Sequence, residues 1–187
     1  MIPCPPQDAT LPGLGTALDG GAVADLLTRN LPDDLPGRVG IDACRPCYIR
    51  YKQGTNATIQ YDLRLLDRGS GEVFQAPAHL RLFADDRAAR LWAKPRLHAL
   101  VERARRLHQT PLAASAVPMP ELAAIAQIYP LDLALPTLVD AASLEVMSQQ
   151  WRATQPRGAG QDLAIEAVEL VRYKPSRKAL LRYRLRG

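Results

Sequence analysis

The chain has 187 residues, a formal net charge of +5 and a pI near 9.4, and its composition is 47% hydrophobic and 23% charged. This length suits one domain with a substantial core, and the composition excludes a disordered chain. The positive charge permits an anionic partner such as a phosphate, and the alternative is a solvated arginine-rich surface.

Cysteine usage indicates a reducing compartment. The three cysteines stand at positions 4, 44 and 47, an odd and low number that argues against a disulfide framework. Cys44 and Cys47 have the spacing of a zinc or redox pair, but no second pair completes a zinc site, so we interpret them as two half-buried thiols. Without a signal-peptide pattern or a membrane-length apolar run, we expect a cytoplasmic protein with no membrane partner.

The chain begins with a segment rich in Pro and Gly. Residues 1–37 predict an irregular lead-in with one short helix that ends near Asn30. Residues 38–187 are interpreted as a single α+β domain. Apolar alternation gives strand candidates in its first half at Val39–Asp42 and Cys47–Lys52, then Thr55–Leu66, with Val73–Ala84 as the third strand of a β-meander. Pro77 limits the early part of the last of these strands to an edge or a bulge.

Helical patterns follow these strands. Asp85 and Asp86 are expected to cap a helix at Arg87–Ala93, and Arg96–His108 predicts a second helix with one apolar face. The other face of that second helix is basic. Because no aromatic residues accompany the basic residues, we interpret this face as solvated and expect no nucleic-acid partner.

The following segments contain several prolines. Thr110–Pro120 is expected to be a Pro-broken linker, and Tyr129–Pro136 an extended or turning segment. The further expectations are a buried strand at Leu122–Ile128, an amphipathic helix at Asp140–Ala153 with Leu144, Met147 and Trp151 facing inward, and a loop at Gln155–Gln161.

The last part of the chain repeats an earlier part. Residues 172–186 align without a gap with residues 50–64, and seven of the fifteen positions are identical. Each copy predicts a hairpin around a polar turn, so similar hairpins are expected at about 47–66 and 165–187. We predict an α+β fold in which both hairpins share one mostly antiparallel sheet, with the Arg96–His108 helix packed against it and the helices on one face.

Three stretches carry a resemblance to a known family. They are Arg50–Thr55 (RYKQGT), Tyr129–Leu138 (YPLDLALPTL) and Val171–Tyr183 (VRYKPSRKALLRY). In this order and spacing they resemble the N-terminal part of bacterial phosphotransferases of the aminoglycoside phosphotransferase and maltokinase kind. That family has a protein-kinase-like fold, so the resemblance implies a kinase-like N-terminal lobe.

The resemblance also implies a nucleotide site. In such a lobe the turn of the first hairpin covers the nucleotide phosphates, and the third strand supplies a lysine that pairs with a helix glutamate. This implies phosphate contacts for Lys174, Arg177 and Lys178 in the second turn. Arg81 stands at the lysine position in the first copy, and Glu102 is the only acidic residue on the following helix after its cap. ATP and Mg²⁺ are therefore expected as cofactors of a full-length protein.

The second turn has two interpretations from its residues alone. The N–H groups of a turn can point outward together as an anion nest, and three cationic side chains lie within Lys174–Lys178. Alternatively, these charges are the wet face of an edge hairpin and discourage pairing with other molecules.

A catalytic set is missing from the sequence. Phosphoryl transfer needs a base and metal-binding Asn and Asp residues, and Asp132 stands in a Pro-flanked loop without a neighbouring carboxylate. We therefore expect no catalytic or metal-binding residues. The chain is interpreted as the nucleotide-binding-lobe-like portion of a kinase-like small-molecule phosphotransferase, inactive by itself, whose partner is a catalytic lobe on another segment or protein. The alternative is a complete non-enzymatic binding or interaction module for an anionic ligand or a protein partner.

Overall fold

The computed structural model of the chain describes residues 7–31, 39–108, 115–154 and 163–187. Residues 1–6 and 32–37 of the expected lead-in, and the expected loop Gln155–Gln161, lie outside these ranges. The described part is α+β. Its helices are α1 (Leu14–Leu18), α2 (Gly20–Arg29), α3 (Arg87–Trp92), α4 (Pro95–Leu107), α5 (Leu138–Ala141) and α6 (Leu144–Thr154). Its strands are β1 (Val39–Lys52), β2 (Asn56–Asp67), β3 (Val73–Phe83), β4 (Ala116–Met119), β5 (Ala124–Ile128), β6 (Ala164–Lys174) and β7 (Lys178–Arg186).

Five of these strands form one antiparallel sheet with the order β1-β2-β3-β5-β4. In its centre Ile59 of β2 lies opposite Leu80 of β3, and the neighbouring pair is Thr58 and Arg81. Because successive side chains point to opposite faces, one face of the sheet is apolar and the other is largely polar. The apolar face packs with residues of α1 and α2 in the main core. Among the helices that are described, none is long and apolar enough to cross a membrane.

The second hairpin does not join this sheet. β6 and β7 form a separate two-stranded sheet, so the prediction of one sheet shared by both hairpins is wrong. The physical reason lies at the sheet edges. β1 has register shifts on either side of Asp42 and Cys47 and contains Pro46, while β4 is only four residues long and contains Pro118. Bulges and prolines are devices that keep further strands from adding to an edge.

Two strand predictions change and one is confirmed. The two strand candidates between Val39 and Lys52 belong to one continuous strand, since an edge strand tolerates an internal proline. β4 lies within the stretch predicted to be a linker, for the same reason. The prediction for Pro77 is confirmed, because β5 pairs with β3 only from Ala78 to Leu82 and leaves the early part of β3 at an edge.

The helix predictions hold for α2 and α4. Asp19 caps α2 by accepting hydrogen bonds from the N–H groups of Gly21 and Ala22. The apolar face of α4 is buried as predicted, but it packs against Leu131, Val139 and a residue of β4 rather than against a sheet formed by both hairpins.

The helix predicted at Asp140–Ala153 is two helices. The chain breaks between α5 and α6 at Ser143, whose hydroxyl accepts a hydrogen bond from Val146 N–H at 3.4 Å. Met147 and Trp151 are half-buried, whereas Leu144 is 43% exposed and does not face inward as expected. Leu144 is the first residue of α6, where the helix starts on the solvent side.

The lead-in residues that the structure describes contain two helices, where the sequence predicted one. Leu11 and Leu14 are buried with Leu27 in the main core. This segment therefore contributes to the packing of the five-stranded sheet rather than trailing from it.

An internal repeat relates this segment to the end of the chain. Residues 8–14 (DATLPGL) and 132–138 (DLALPTL) share the same Asp, Leu, Pro and Leu positions. Each stretch leads into a short helix, a longer helix and a hairpin, which are α1, α2, β1 and β2 in the first unit (residues 8–67) and α5, α6, β6 and β7 in the second unit (residues 132–186). A tyrosine hydroxyl of the hairpin bonds the carbonyl of the short helix in both units, from Tyr61 to Ala17 and from Tyr183 to Ala141. The duplication thus covers both units, and the hairpins are one part of it.

Candidate functional site

The turn of the second hairpin is the centre of the predicted site. Arg177 N–H donates to the carbonyl of Lys174 at 3.1 Å, and Ser176 has a φ of 59°. With Pro175 before it, this is the pattern of a type II turn, in which the third position usually carries glycine or asparagine. Arg177 and Lys178 are exposed, and Lys174 is half-buried.

A buried carboxylate holds this turn. Asp132 is fully buried, and its Oδ2 accepts hydrogen bonds from Ser176 N–H at 2.7 Å and from the Tyr173 hydroxyl at 2.8 Å. Its Oδ1 accepts from Ala134 N–H at 2.9 Å. A buried carboxylate is costly unless donors satisfy it, and three donors do so here. The carboxylate therefore fixes the backbone of the turn.

An anion nest at this turn would require backbone N–H groups that point outward, but these N–H groups make hydrogen bonds inside the protein. Ser176 N–H points at Asp132, Arg177 N–H points at the carbonyl of Lys174, and Pro175 has no N–H. The expectation of outward N–H groups in the turn is wrong for these positions, because the anchor and the turn itself have already taken them. Any anion at the tip would be bound by side chains.

The hydrogen-bond chain continues from Tyr173 into the first sheet. Gln127 accepts a hydrogen bond from Leu133 N–H through Oε1, at 2.7 Å, so its amide nitrogen faces Nε2 of His79 at 3.2 Å. Nε2 of His79 is then an acceptor, and the ring proton sits on Nδ1. Nδ1 lies 3.0 Å from the Tyr173 hydroxyl and donates to it, which leaves that hydroxyl to donate to Asp132. Each group in the chain has one consistent role.

Burial explains the protonation states of His79 and Tyr173 in this row of hydrogen bonds. His79 is fully buried, and burial lowers its pKa to about 4 against the opposing charge of Asp132. Burial, followed by the negative charge of Asp132, raises the pKa of Tyr173 well above its ordinary value. The imidazole is therefore neutral and the phenol protonated at neutral pH, as the hydrogen bonds require.

Arg81 lies on the polar face of the five-stranded sheet, near the same carboxylate. Its guanidinium sits 5.2 Å from the ring centroid of Phe83. Burial lowers the pKa of Arg81, the charge of Asp132 raises it, and the charges of Arg50 and Arg87 lower it further. Asp132 thus acts on Arg81 by charge at a distance, since Arg81 makes no ion pair among the residues that the structure describes. Glu102, which the sequence offered as a partner, instead pairs with Arg105 on its own helix at 3.7 Å.

The four predicted contact residues thus fall into two groups. Arg81 and the turn converge on Asp132, by charge in one case and by backbone hydrogen bonds in the other. Lys174, Arg177 and Lys178 make no ion pair within the ranges that the structure describes.

Sequence reasoning missed the residues that build the anchor. His79, Gln127 and Tyr173 were not assigned a site, and Asp132 was noted only for its isolation. The signal that could have found Asp132 is the shared Asp-x-x-Leu-Pro-x-Leu pattern, because Asp8 stands at the same position in the first unit. Asp8 accepts hydrogen bonds from the Tyr51 hydroxyl and from Gly54 N–H, each at 2.8 Å.

The chemistry available to the anchor is limited by its own hydrogen bonds. Tyr173, His79 and Asp132 bond to one another and to backbone groups, so they position the turn and do not present a free base. Among the residues described, no group of three or more His, Cys, Asp or Glu side chains is placed to hold a metal ion. Cys44 and Cys47 are free thiols in β1, and Cys44 is half-buried as expected, whereas Cys47 is exposed.

Comparison with protein-family models, with curated proteins and with solved structures finds no match for this chain.

Proposed function

We propose that this chain is the N-terminal, nucleotide-binding-lobe-like portion of a kinase-like small-molecule phosphotransferase, with the second hairpin turn contacting nucleotide phosphates. The observation that carries the proposal is a cationic turn with a fixed backbone. Arg177 and Lys178 are exposed, and the backbone between them and Tyr173 is tied to Asp132. A preorganised turn loses little conformational freedom when its side chains bind an anion.

Arg81 has an indirect part in this proposal. Its positive charge lies in the field of Asp132 and balances the negative charge beneath the turn. Without that balance, the anchor carboxylate would repel a phosphate at the tip. The proposal therefore assigns direct phosphate contacts to Lys174, Arg177 and Lys178, and charge compensation to Arg81.

The order of elements also supports a kinase-like lobe. The first hairpin is followed by a third strand, β3, and then by helices α3 and α4, which is the order of hairpin, lysine strand and helix in such a lobe. This order supports a lobe-like architecture for the first unit, and the phosphate contacts are assigned to the second hairpin on the separate ground of its cationic turn. Nucleotide with Mg²⁺ would supply the phosphoryl group in a full-length protein, and no catalytic step is assigned to this chain. Its substrate and catalytic lobe, and a cytoplasmic location, belong to the same proposal.

The test is an NMR titration of the chain with ATP at low and high salt. We expect amide shifts confined to residues 174–178, weakening as salt rises because exposed charges are screened within about 10 Å at ~0.1 M. The double variant Arg177→Ala with Lys178→Ala should abolish these shifts. Lys52→Ala is the control, because it removes the cation of the first turn, at the place equivalent to Lys174, and should leave the shifts of residues 174–178 unchanged. Shifts spread evenly over all basic surfaces, or none at millimolar ATP, would contradict the proposal.

A specific observation favours the alternative of a non-enzymatic binding or interaction module. Tyr173 and Pro175 are buried, and Tyr173 bonds His79 on the polar face of the first sheet. The second hairpin therefore covers part of this polar face, which favours a closed module over a sheet that is open to a nucleotide. If the titration fails, this second proposal is the one to pursue, with protein partners rather than nucleotides.

A further inference from the structure

We infer that the free edge of β7, with the groove beneath it, takes up an antiparallel strand from a partner polypeptide in which apolar and acidic residues alternate. The inference stands on the internal repeat and the charges of β7. It does not require nucleotide binding by the turn, so the two proposals can fail separately.

The first unit shows what covers this surface in its own copy. Val23 and Leu27 of α2, with Tyr61 of β2, are each 1% exposed. They lie in one core with residues of β3, β4 and β5, including Leu80 and Ile128. Strands β3, β4 and β5 therefore close the space between helix and hairpin in the first unit.

The same surface is open in the second unit. The residues equivalent to Val23, Leu27 and Tyr61 are Met147, Trp151 and Tyr183, and all three are only half-buried. Together with Ile165 and Leu185 they line an apolar groove of about 280 Å³ between α6 and the second hairpin. Leu185 is 42% exposed. A groove of this kind exposes apolar surface that burial under a further strand would remove from water.

The strand edges differ in the same way. β2 pairs with β3 along its whole length beyond the turn, from Asn56 opposite Phe83 to Leu66 opposite Val73. β7 pairs with β6 on one side, and no strand in the described ranges pairs with its other side. The N–H and C=O groups on that side can therefore receive a strand as β2 receives β3.

The arginines of β7 determine which residues a partner strand should carry at this edge. Arg182 and Arg184 lie on the face away from the groove, where Glu169 of β6 pairs with both of them. Arg186 follows on the same face. One carboxylate is thus shared by two guanidiniums, and residues opposite them on an added strand would stabilise it if they were acidic. The alternate residues would be apolar because they face Tyr183 and the groove.

The same charges disfavour a second copy of this chain at the edge. Two β7 strands paired antiparallel would bring the arginine faces of both strands together, and like charges opposite one another destabilise a pair. A partner of alternating acidic and apolar residues has no such conflict. We therefore assign the edge to a different polypeptide segment.

A peptide of seven residues alternating Val and Glu is the probe, with a Val and Lys peptide for comparison. We expect the acidic peptide to shift the amides of β7 and to show cross-strand contacts to Leu181, Tyr183 and Leu185 by NMR. The lysine peptide should bind about tenfold more weakly, as expected for several cross-strand pairs that change sign.

Two variants make the test specific. Replacing Glu169→Arg together with Arg182→Glu and Arg184→Glu keeps the β6–β7 ion pairs but reverses the charge at the edge, so it should prefer the lysine peptide. Leu185→Asn should weaken both peptides, whereas Leu144→Asn, an equally exposed leucine outside the groove, should not. Equal binding of both peptides by the parent chain, equal effects of the two leucine variants, or a dimer at this edge by sedimentation would each overturn the inference.

Discussion

Asp8 and Asp132 hold equivalent places in the two units of the repeat. Each accepts, at one carboxylate oxygen, a tyrosine hydroxyl from the end of a strand and the N–H of the third residue of a hairpin turn. Each also accepts, at its other oxygen, the N–H of the residue two positions later. The surroundings differ, because Asp132 is fully buried and Asp8 is half-exposed. The same geometry is therefore expected to contribute differently to stability in the two units.

Replacing Tyr173→Phe tests that difference. The change removes the hydroxyl between His79 and Asp132 and leaves a buried N–H and a buried carboxylate each short of a partner. We expect a loss of about 1–3 kcal/mol in the free energy of unfolding. Tyr51→Phe is the control and should cost less, since water can replace the hydroxyl at Asp8. Urea denaturation measures the free energy of unfolding of both variants. Equal losses would show that the burial of Asp132 does not increase the contribution of its tyrosine hydrogen bond.

Exchanging serine and glycine between the two hairpin turns tests the backbone strain at their third position. Ser176 has φ 59° and Gly54, at the equivalent position, has φ 64°. A residue with a Cβ is strained in this region, so Ser176→Gly should stabilise the protein by up to about 1 kcal/mol and Gly54→Ser should destabilise it similarly. A Cβ at Gly54 would meet nothing closer than 3.9 Å, so backbone strain alone is tested there. The Ser176 hydroxyl is buried without a hydrogen-bond partner among the described residues, which adds to the expected gain. Thermal melts of the two variants should move in opposite directions.

The free thiols of β1 provide a chemical test of the local environment. Burial raises the pKa of Cys44 to about 12, and burial with the nearby charge of Asp62 raises that of Cys47 to about 11. Because the thiolate is the reacting species, both cysteines should be alkylated more than tenfold slower at pH 8 than in the unfolded chain. The rates can be measured with iodoacetamide and peptide mass spectrometry in a Cys4→Ser background. Fast alkylation of either cysteine in the folded protein would contradict this account and would favour the interpretation of Cys44 and Cys47 as a redox pair.

Local patterns in the sequence predicted the elements whose signals are local. The apolar face predicted for Arg96–His108 is the buried face of α4, and the short helix predicted to end near Asn30 is α2. β4 was missed because a four-residue strand containing Pro118 has too short an apolar pattern to be recognised.

The anchor could not be predicted in the same way. Asp132 meets Tyr173 and Ser176 across 41 and 44 residues of chain, and His79 meets Tyr173 across 94. No periodicity encodes such contacts, since they depend on how the second hairpin docks on the first sheet. The hairpin repeat is visible in the sequence, but the prediction that both hairpins share one sheet is wrong, because Pro46 in β1 and Pro118 in β4 protect the edges of the first sheet.

The pH dependence of stability tests the protonation state of His79. Burial lowers the pKa of this imidazole to about 4 in the folded protein, from an ordinary value of 6.5. Between these two pH values the unfolded chain binds a proton at this position and the folded protein does not, so the free energy of unfolding rises with pH. The contribution of His79 is therefore complete above pH 6.5 and is lost as the pH falls toward about 4, at about 1.4 kcal/mol per pH unit.

His79→Gln should remove this slope, whatever its effect on stability at pH 7. His98→Gln is the control, because it removes an imidazole that is exposed on α4 and lies outside the buried hydrogen bonds of His79. Urea unfolding of the three proteins at several pH values between 4 and 7.5 measures both quantities. An unchanged slope in His79→Gln would mean that the buried imidazole is not the group that titrates, and the assignment of a neutral ring donating through Nδ1 to Tyr173 would have to be abandoned.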